Sequence, residues 1–230
     1  MKILAVGAHP DDVEFGCAPL LIQEVQKGNQ VRILVLSKGE AASSGTPEER
    51  AEEARAAAQV IGAEIEFLEM GGDCHIRHTP ENSLAIAREL RQFQPGIVLA
   101  PTLEENQHPD HSAAARMVRD ASRLARYGGL EDLRPLPPHQ ILNLYFYSIT
   151  QVFTPEPDLI IDVSAVDAQW DRAMACHKSQ MKTKAYPELV HARARALGAA
   201  IGVASAVGLW ASDPVRVGAL SDLTLSSRNY

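Results

Sequence analysis

The sequence predicts an α/β fold, a three-layer, mostly parallel sheet with helices on both faces. Three observations carry that expectation. Short apolar runs that suit buried strands recur at residues 2–7, 31–36, 64–68 and 97–100. Segments with helical spacing of apolar residues separate them. The connections are short, and this alternation is what parallel βαβ units require. A chain of 230 residues can bury one full core, so 1–230 is read as a single domain.

The elements follow in order. After the first strand, a helical pattern spans residues 15–27 and stops at Gly28-Asn29. Residues 31–36 form the second strand, and the loop to Pro47 is rich in Gly, Ser and Thr. Thr46-Pro47-Glu48-Glu49 supplies a cap, a proline at the first helical position and a glutamate three residues after the cap. The helix it opens is expected to reach Ile61-Gly62. Residues 64–68 form the third strand, and a helix over 81–93 is broken by Gln94-Pro95-Gly96. The fourth strand, 97–100, leads through a loop into a helix over 110–127. Residues 130–139 then carry three prolines and read as irregular. Strands at 141–147 and 159–163 and helices at 164–180 and 189–209 complete the pattern.

Composition excludes several classes of function. The net charge of −7 argues against a nucleic-acid footprint, which needs a basic stripe. No apolar stretch approaches the ~20 residues of a membrane span. The run after Lys2 is too short for a signal peptide and ends in His9-Pro10-Asp11-Asp12. Cys17, Cys74 and Cys176 form no C-x-x-C and read as buried, reduced thiols. A cytoplasmic location is the expectation.

Ligands of open α/β sheets bind at the carboxyl ends of the strands. His9-Pro10-Asp11-Asp12 leaves the first strand, and His108-Pro109-Asp110-His111 leaves the fourth. Either cluster alone would read as a cap and a turn. Together, at one sheet edge, they supply three histidines and three aspartates. Two histidines and one aspartate are a set that binds catalytic zinc. That leaves one aspartate to take a proton from water, one histidine to stabilise an oxyanion and one aspartate to orient a partner.

These residues resemble a known family. Ala8-His9-Pro10-Asp11-Asp12 and His108-Pro109-Asp110-His111 are similar to the two motifs of the LmbE-like, or PIG-L, N-deacetylases. The segment 45–54 with Arg50, Pro157 to Ser164 and His177-Lys178-Ser179-Gln180 resemble later family segments. The likeness is greatest to the branch that includes the bacillithiol-biosynthesis deacetylases. It implies a Rossmann-like arrangement of the sheet. It implies one Zn2+ per chain on His9, Asp12 and His111, with another divalent metal such as Fe2+ as the alternative. Asp11 would be the general base, and a charged His108, oriented by Asp110, would hold the oxyanion. Arg50, Tyr186 and Gln107 would face the substrate, an N-acetylglucosamine-type conjugate. The resemblance also implies a trimer or hexamer.

Two departures narrow the reading. Residues 204–209 lack an acid found in family members. Gln107 stands where relatives acting on a malate-bearing sugar often carry arginine, and a neutral amide does not replace a bidentate guanidinium. Two rival readings remain. A 2-His-1-carboxylate iron(II) oxygenase shares the ligand set, though not the alternating βα scaffold. A non-catalytic nucleotide- or sugar-binding module shares the scaffold, but the first turn lacks G-x-G-x-x-G and carries two aspartates that would repel a pyrophosphate. His75, His78, His139 and His191 have no partners at metal spacing, and His177 is placed on a helix with no assigned role.

Overall fold

The computed structural model describes all residues except 106–107, 152–154, 183–184, 223–225 and 227–230. Its strands are β1 (Lys2–Gly7), β2 (Gln30–Val35), β3 (Glu64–Phe67), β4 (Ile97–Pro101), β5 (Asn143–Tyr147), β6 (Leu159–Asp162) and β7 (Ala206–Ala211). They form one sheet in the order β3-β2-β1-β4-β5-β7-β6. The first five run parallel, and β7 pairs antiparallel with both β5 and β6.

Alternation along β1 builds two cores. Ile3 and Ala5 point into one layer and Leu4 and Val6 into the other. The first layer packs under α1 (Asp12–Gly16), α2 (Ala18–Gln26), α3 (Pro47–Ile61), α6 (Asp167–Met174) and α7 (Tyr186–Ile201). The second packs under α4 (Pro80–Phe93) and α5 (Pro109–Leu124). The three-layer α/β arrangement therefore matches the expectation. Among the described residues no helix is long and apolar enough to cross a membrane.

The start of α3 forms as its sequence specifies. The Thr46 hydroxyl accepts from the Glu49 N–H, and the Glu49 carboxylate accepts from the Thr46 N–H. Three expectations are corrected. The helix over 15–27 is two helices, because the backbone turns at Cys17 and Pro19 sits in the first turn of α2. The helix over 164–180 is only α6, flanked by single 3-10 turns. The helix over 189–209 ends at Ile201, where Gly202 adopts φ 76, and its last residues belong to β7. An apolar run buried on both faces has no period that separates strand from helix.

Candidate active site

Strand order reverses between β1 and β4, which lie side by side while their crossovers run in opposite directions. A cleft at such a point is where open α/β sheets bind ligands. His9 leaves β1 there and His108 leaves β4. The loops after β2, β3 and β5 close the rim. Together they bound a cavity of about 390 Å³ that includes His9, Asp11, Asp12, Arg50, His108 and His111. Tyr186, at the first position of α7, lines the same cavity with its ring 5.3 Å from that of Phe15. Gln107 lies outside the described residues.

The inner site is a triangle. The His9 Nδ1 and His111 Nε2 atoms are 3.3 Å apart, Asp12 Oδ1 is 3.1 Å from His111 Nε2, and Asp12 Oδ2 is 3.5 Å from His9 Nδ1. Ligands at ~2.0–2.1 Å from a tetrahedral zinc are themselves about 3.3 Å apart, which the His9–His111 nitrogen pair and the His111–Asp12 Oδ1 pair match, and one donor atom from each of the three residues lies within 4.8 Å of the others. Asp12 Oδ2 accepts from the Ala8 and His9 N–H groups at 2.9 Å each, which fixes the carboxylate and leaves Oδ1 for a cation. All three residues are buried. Burial opposes ionisation of Asp12, but His111 and His9 outweigh it and hold its carboxyl well below the usual range. Burial likewise opposes a charge on His9, but Asp12, with the bonds to Asp110 and Asp73, raises it well above its ordinary value.

Asp110 lies nearer His9 than His108. Its Oδ2 is 3.2 Å from His9 Nε2 and 3.8 Å from His108 Nδ1, and it accepts from the Cys74 N–H at 2.7 Å. A carboxylate behind a metal-facing imidazole fixes its orientation and raises its basicity. His108 is oriented through the backbone, since its Nδ1 accepts the Asp110 N–H at 3.3 Å at the start of α5. A neutral His108 therefore carries its proton on Nε2. Burial, then the charge of His9, lowers the pKa of His108.

Asp11 caps α1 with φ 113, a left-handed conformation that a side chain other than glycine adopts only under strain. Arg50 reaches it from α3. The guanidinium donates to the Pro10 carbonyl at 2.7 Å and the Gly39 carbonyl at 3.2 Å and lies 3.3 Å from Asp11 Oδ2. Arg50 is only 4% exposed and braces Asp11 from behind, while it also lines the cavity wall. Gly39, at φ 71, leaves room for it, because a Cβ there would stand 1.8 Å from Arg50 Nη1. Burial pushes the Asp11 carboxyl up to about 6, against the pull of Arg50. That value suits a base working near neutrality.

Sequence reasoning missed Asp73 and Cys74 in the loop after β3. Asp73 Oδ1 lies 3.1 Å from His9 Nε2, and it joins His9, His108 and Asp110 in a second group of metal-ligating type. The signal for it was its place after a strand's carboxyl end. Cys74 is exposed, and Cys176 is half-buried, so the buried-thiol reading holds only for Cys17. His177 does not line the cavity. It is fully buried, with its Nε2 3.5 Å from Glu14 Oε2. His78 pairs with Asp120, His191 with Asp171, and His139 with the Pro95 carbonyl. None of these three, nor His75, joins a group of metal-ligating type among the described residues.

Known proteins are similar to this chain in sequence and fold. The family model for PIG-L, described as GlcNAc-PI de-N-acetylase, matches residues 4–122, slightly more than half of the chain. The diacetylchitobiose deacetylase of Thermococcus kodakarensis is 30% identical over 195 residues, covering 78% of this chain and 70% of that protein. The 4-oxalmesaconate hydratase of Pseudomonas putida is 27% identical over 189 residues, covering 75% of this chain and 70% of that one. The crystal structure of the conserved protein TT1542 from Thermus thermophilus superposes with a TM-score of 0.85 at 32% identity, covering 94% and 96% of the two chains. On the family model and on the breadth of the deacetylase match, the chain belongs to the PIG-L family of hydrolytic N-deacetylases.

Proposed function

We propose that the chain removes an N-acetyl group from an N-acetylglucosamine-type amino sugar, giving acetate and the free amine, with a zinc ion on His9, Asp12 and His111. The observation that carries this reading is the buried donor group of His9, Asp12 and His111 beside the strained, arginine-braced Asp11. A divalent metal held there supplies Lewis acidity and an acidified water.

The residues divide the remaining work. Asp11 takes a proton from the water that attacks the acetamide carbon. Arg50 holds Asp11 in place. His108 donates its Nε2–H to the oxygen that gains charge as the tetrahedral centre forms. Asp110 fixes His9 with its carboxylate and His108 with its N–H. Tyr186 closes one wall of the cavity. The amine departs with the proton that Asp11 has gained.

A second reading, hydration of an unsaturated, carboxylate-bearing substrate, is raised by the hydratase relative. Such a substrate calls for cationic groups to meet its charge. Among the described cavity-lining residues the one lysine or arginine is Arg50, and it is committed to Asp11, Pro10 and Gly39. A neutral amino sugar fits that lining better. Within the deacetylase reading, the same lining fits an uncharged N-acetylglucosamine conjugate better than a malate conjugate of the bacillithiol type, with a trimer or hexamer as the assembly and the cytoplasm as the location.

The test is a screen of the zinc-loaded protein for acetate release from N-acetylglucosamine, diacetylchitobiose and N-acetylglucosaminyl malate, beside a hydration assay on 4-oxalmesaconate. Acetate release with no hydration is expected. Hydration without acetate release would replace this reading with the second one.

A further inference from the structure

Beside the His9–Asp12–His111 triangle, three other side chains at the cavity wall face one another. Cys74 Sγ is 3.4 Å from Asp73 Oδ1 and 3.6 Å from His108 Nε2, and Asp73 Oδ1 is 3.6 Å from His108 Nε2. A thiolate, an imidazole and a carboxylate bound to one tetrahedral zinc at ~2.0–2.3 Å stand about 3.3–3.6 Å apart. The three atoms are therefore already at ligand separation, although they come from two loops 34 residues apart in sequence.

The surroundings hold them there. Cys74 has φ 67, and its backbone N–H is tied at 2.7 Å to the fully buried Asp110. His108 Nδ1 is engaged by the Asp110 N–H, which leaves Nε2 as the nitrogen facing Cys74 and Asp73. Asp73 is buried while Cys74 is exposed, so one side of the group is open to arriving ions. His9 keeps its bond to Asp110 if Asp73 turns to a cation.

We propose that Cys74, Asp73 and His108 form a second, thiophilic metal site that binds zinc or cadmium and inhibits the enzyme. Binding converts the Cys74 thiol to a thiolate and releases one proton to solvent, with no change of oxidation state. It also occupies His108 Nε2, the atom that serves the developing oxyanion. The inhibitory half of the proposal rests on the deacetylase reading, and the binding half does not.

The experiment begins with protein carrying one equivalent of zinc, titrated with cadmium and followed by thiolate-to-metal charge-transfer absorption. The wild type is expected to gain this band with one further equivalent. Cys74→Ser should lose it, His108→Ala should weaken the binding at least tenfold, and Cys176→Ser should leave it unchanged. In the activity assay, each protein is referred to its own rate at one equivalent of zinc. The zinc excess that halves the rate should rise at least tenfold in Cys74→Ser. A band that persists in Cys74→Ser, or is absent from the wild type, overturns the site whether or not the protein deacetylates anything. A band with no difference in zinc inhibition overturns the inhibitory role.

Discussion

At the scale of single residues, the pair Arg50 and Asp11 decides how the base behaves. The guanidinium lies 3.3 Å from the carboxylate and is almost wholly buried, so water screens the pair little. A neighbouring positive charge favours the ionised carboxylate and typically lowers its pKa by about one to three units. The sign follows. With Arg50 removed, Asp11 holds its proton to higher pH, and the base form exists only at higher pH. Arg50→Met should therefore move the acidic limb of the kcat/KM profile upward by at least about one unit, and Arg50→Lys should return part of that shift. A uniform loss of rate with the limb unmoved would reduce Arg50 to a packing role. Removing the base itself should be more severe. Asp11→Asn should lower kcat about 10²–10⁴-fold while metal content stays at the wild-type level, and His111→Ala should lose the metal. Near-normal turnover in Asp11→Asn would defeat the base assignment, and full zinc in His111→Ala would defeat the ligand assignment. The polar identities of these residues were legible in the sequence, because both motifs follow strand ends. The partnership was not. Spacing on α3 pairs Arg50 with neighbouring glutamates, and only the tertiary fold turns it inward to Asp11.

At the scale of elements, the first motif is held by a close approach. Gly16 ends α1, and a Cβ there would stand 2.3 Å from the Tyr147 ring. Tyr147 is fully buried at the end of β5, and its hydroxyl donates to the Val6 carbonyl at 2.7 Å. The glycine thus lets α1 lie against β5 while β1 stays tied to the same tyrosine. Gly16→Ala should destabilise the protein by about 1–3 kcal/mol, the usual cost of overpacking, measured as a lower urea midpoint with an unchanged slope. Adding Tyr147→Leu should return part of that loss, because the two side chains compete for one space. Simple additivity of the two would remove the contact as the cause. Parallel strands and the α3 cap were legible because their periods and caps are local. The split at Cys17 and the strand β7 were not, because each is set by packing on both faces of the sheet. Asp73 and Cys74 were hidden for a related reason. They stand in a loop with no motif, and only the neighbouring carboxyl ends of β1, β3 and β4 make them part of the site.

At the scale of the whole molecule, the fold brings together two short motifs a hundred residues apart in sequence. The separation of 102 residues between His9 and His111 becomes 3.3 Å between ring nitrogens because β1 and β4 are neighbours in the sheet. A cation at that triangle would therefore bridge the two halves of the parallel sheet, the β1 side with α1 and the β4 side with α5. Such an ion binds the folded chain far better than the unfolded one, in which the ligands are scattered. Its binding free energy then adds to stability. At a free zinc concentration of 100 times Kd, the gain is about 2.7 kcal/mol. For a domain of this size each kcal/mol moves the melting temperature by roughly 2–4 °C. Zinc should thus raise the Tm of metal-free protein by about 5–11 °C in calorimetry. The same rise should persist in Asp11→Asn, whose substituted side chain is not part of the triangle. It should vanish in His111→Ala at zinc levels below those that fill the Cys74, Asp73 and His108 group. The three thermograms separate a bridging metal from one bound at the surface, since a surface ion would raise the Tm of His111→Ala as much as that of the wild type.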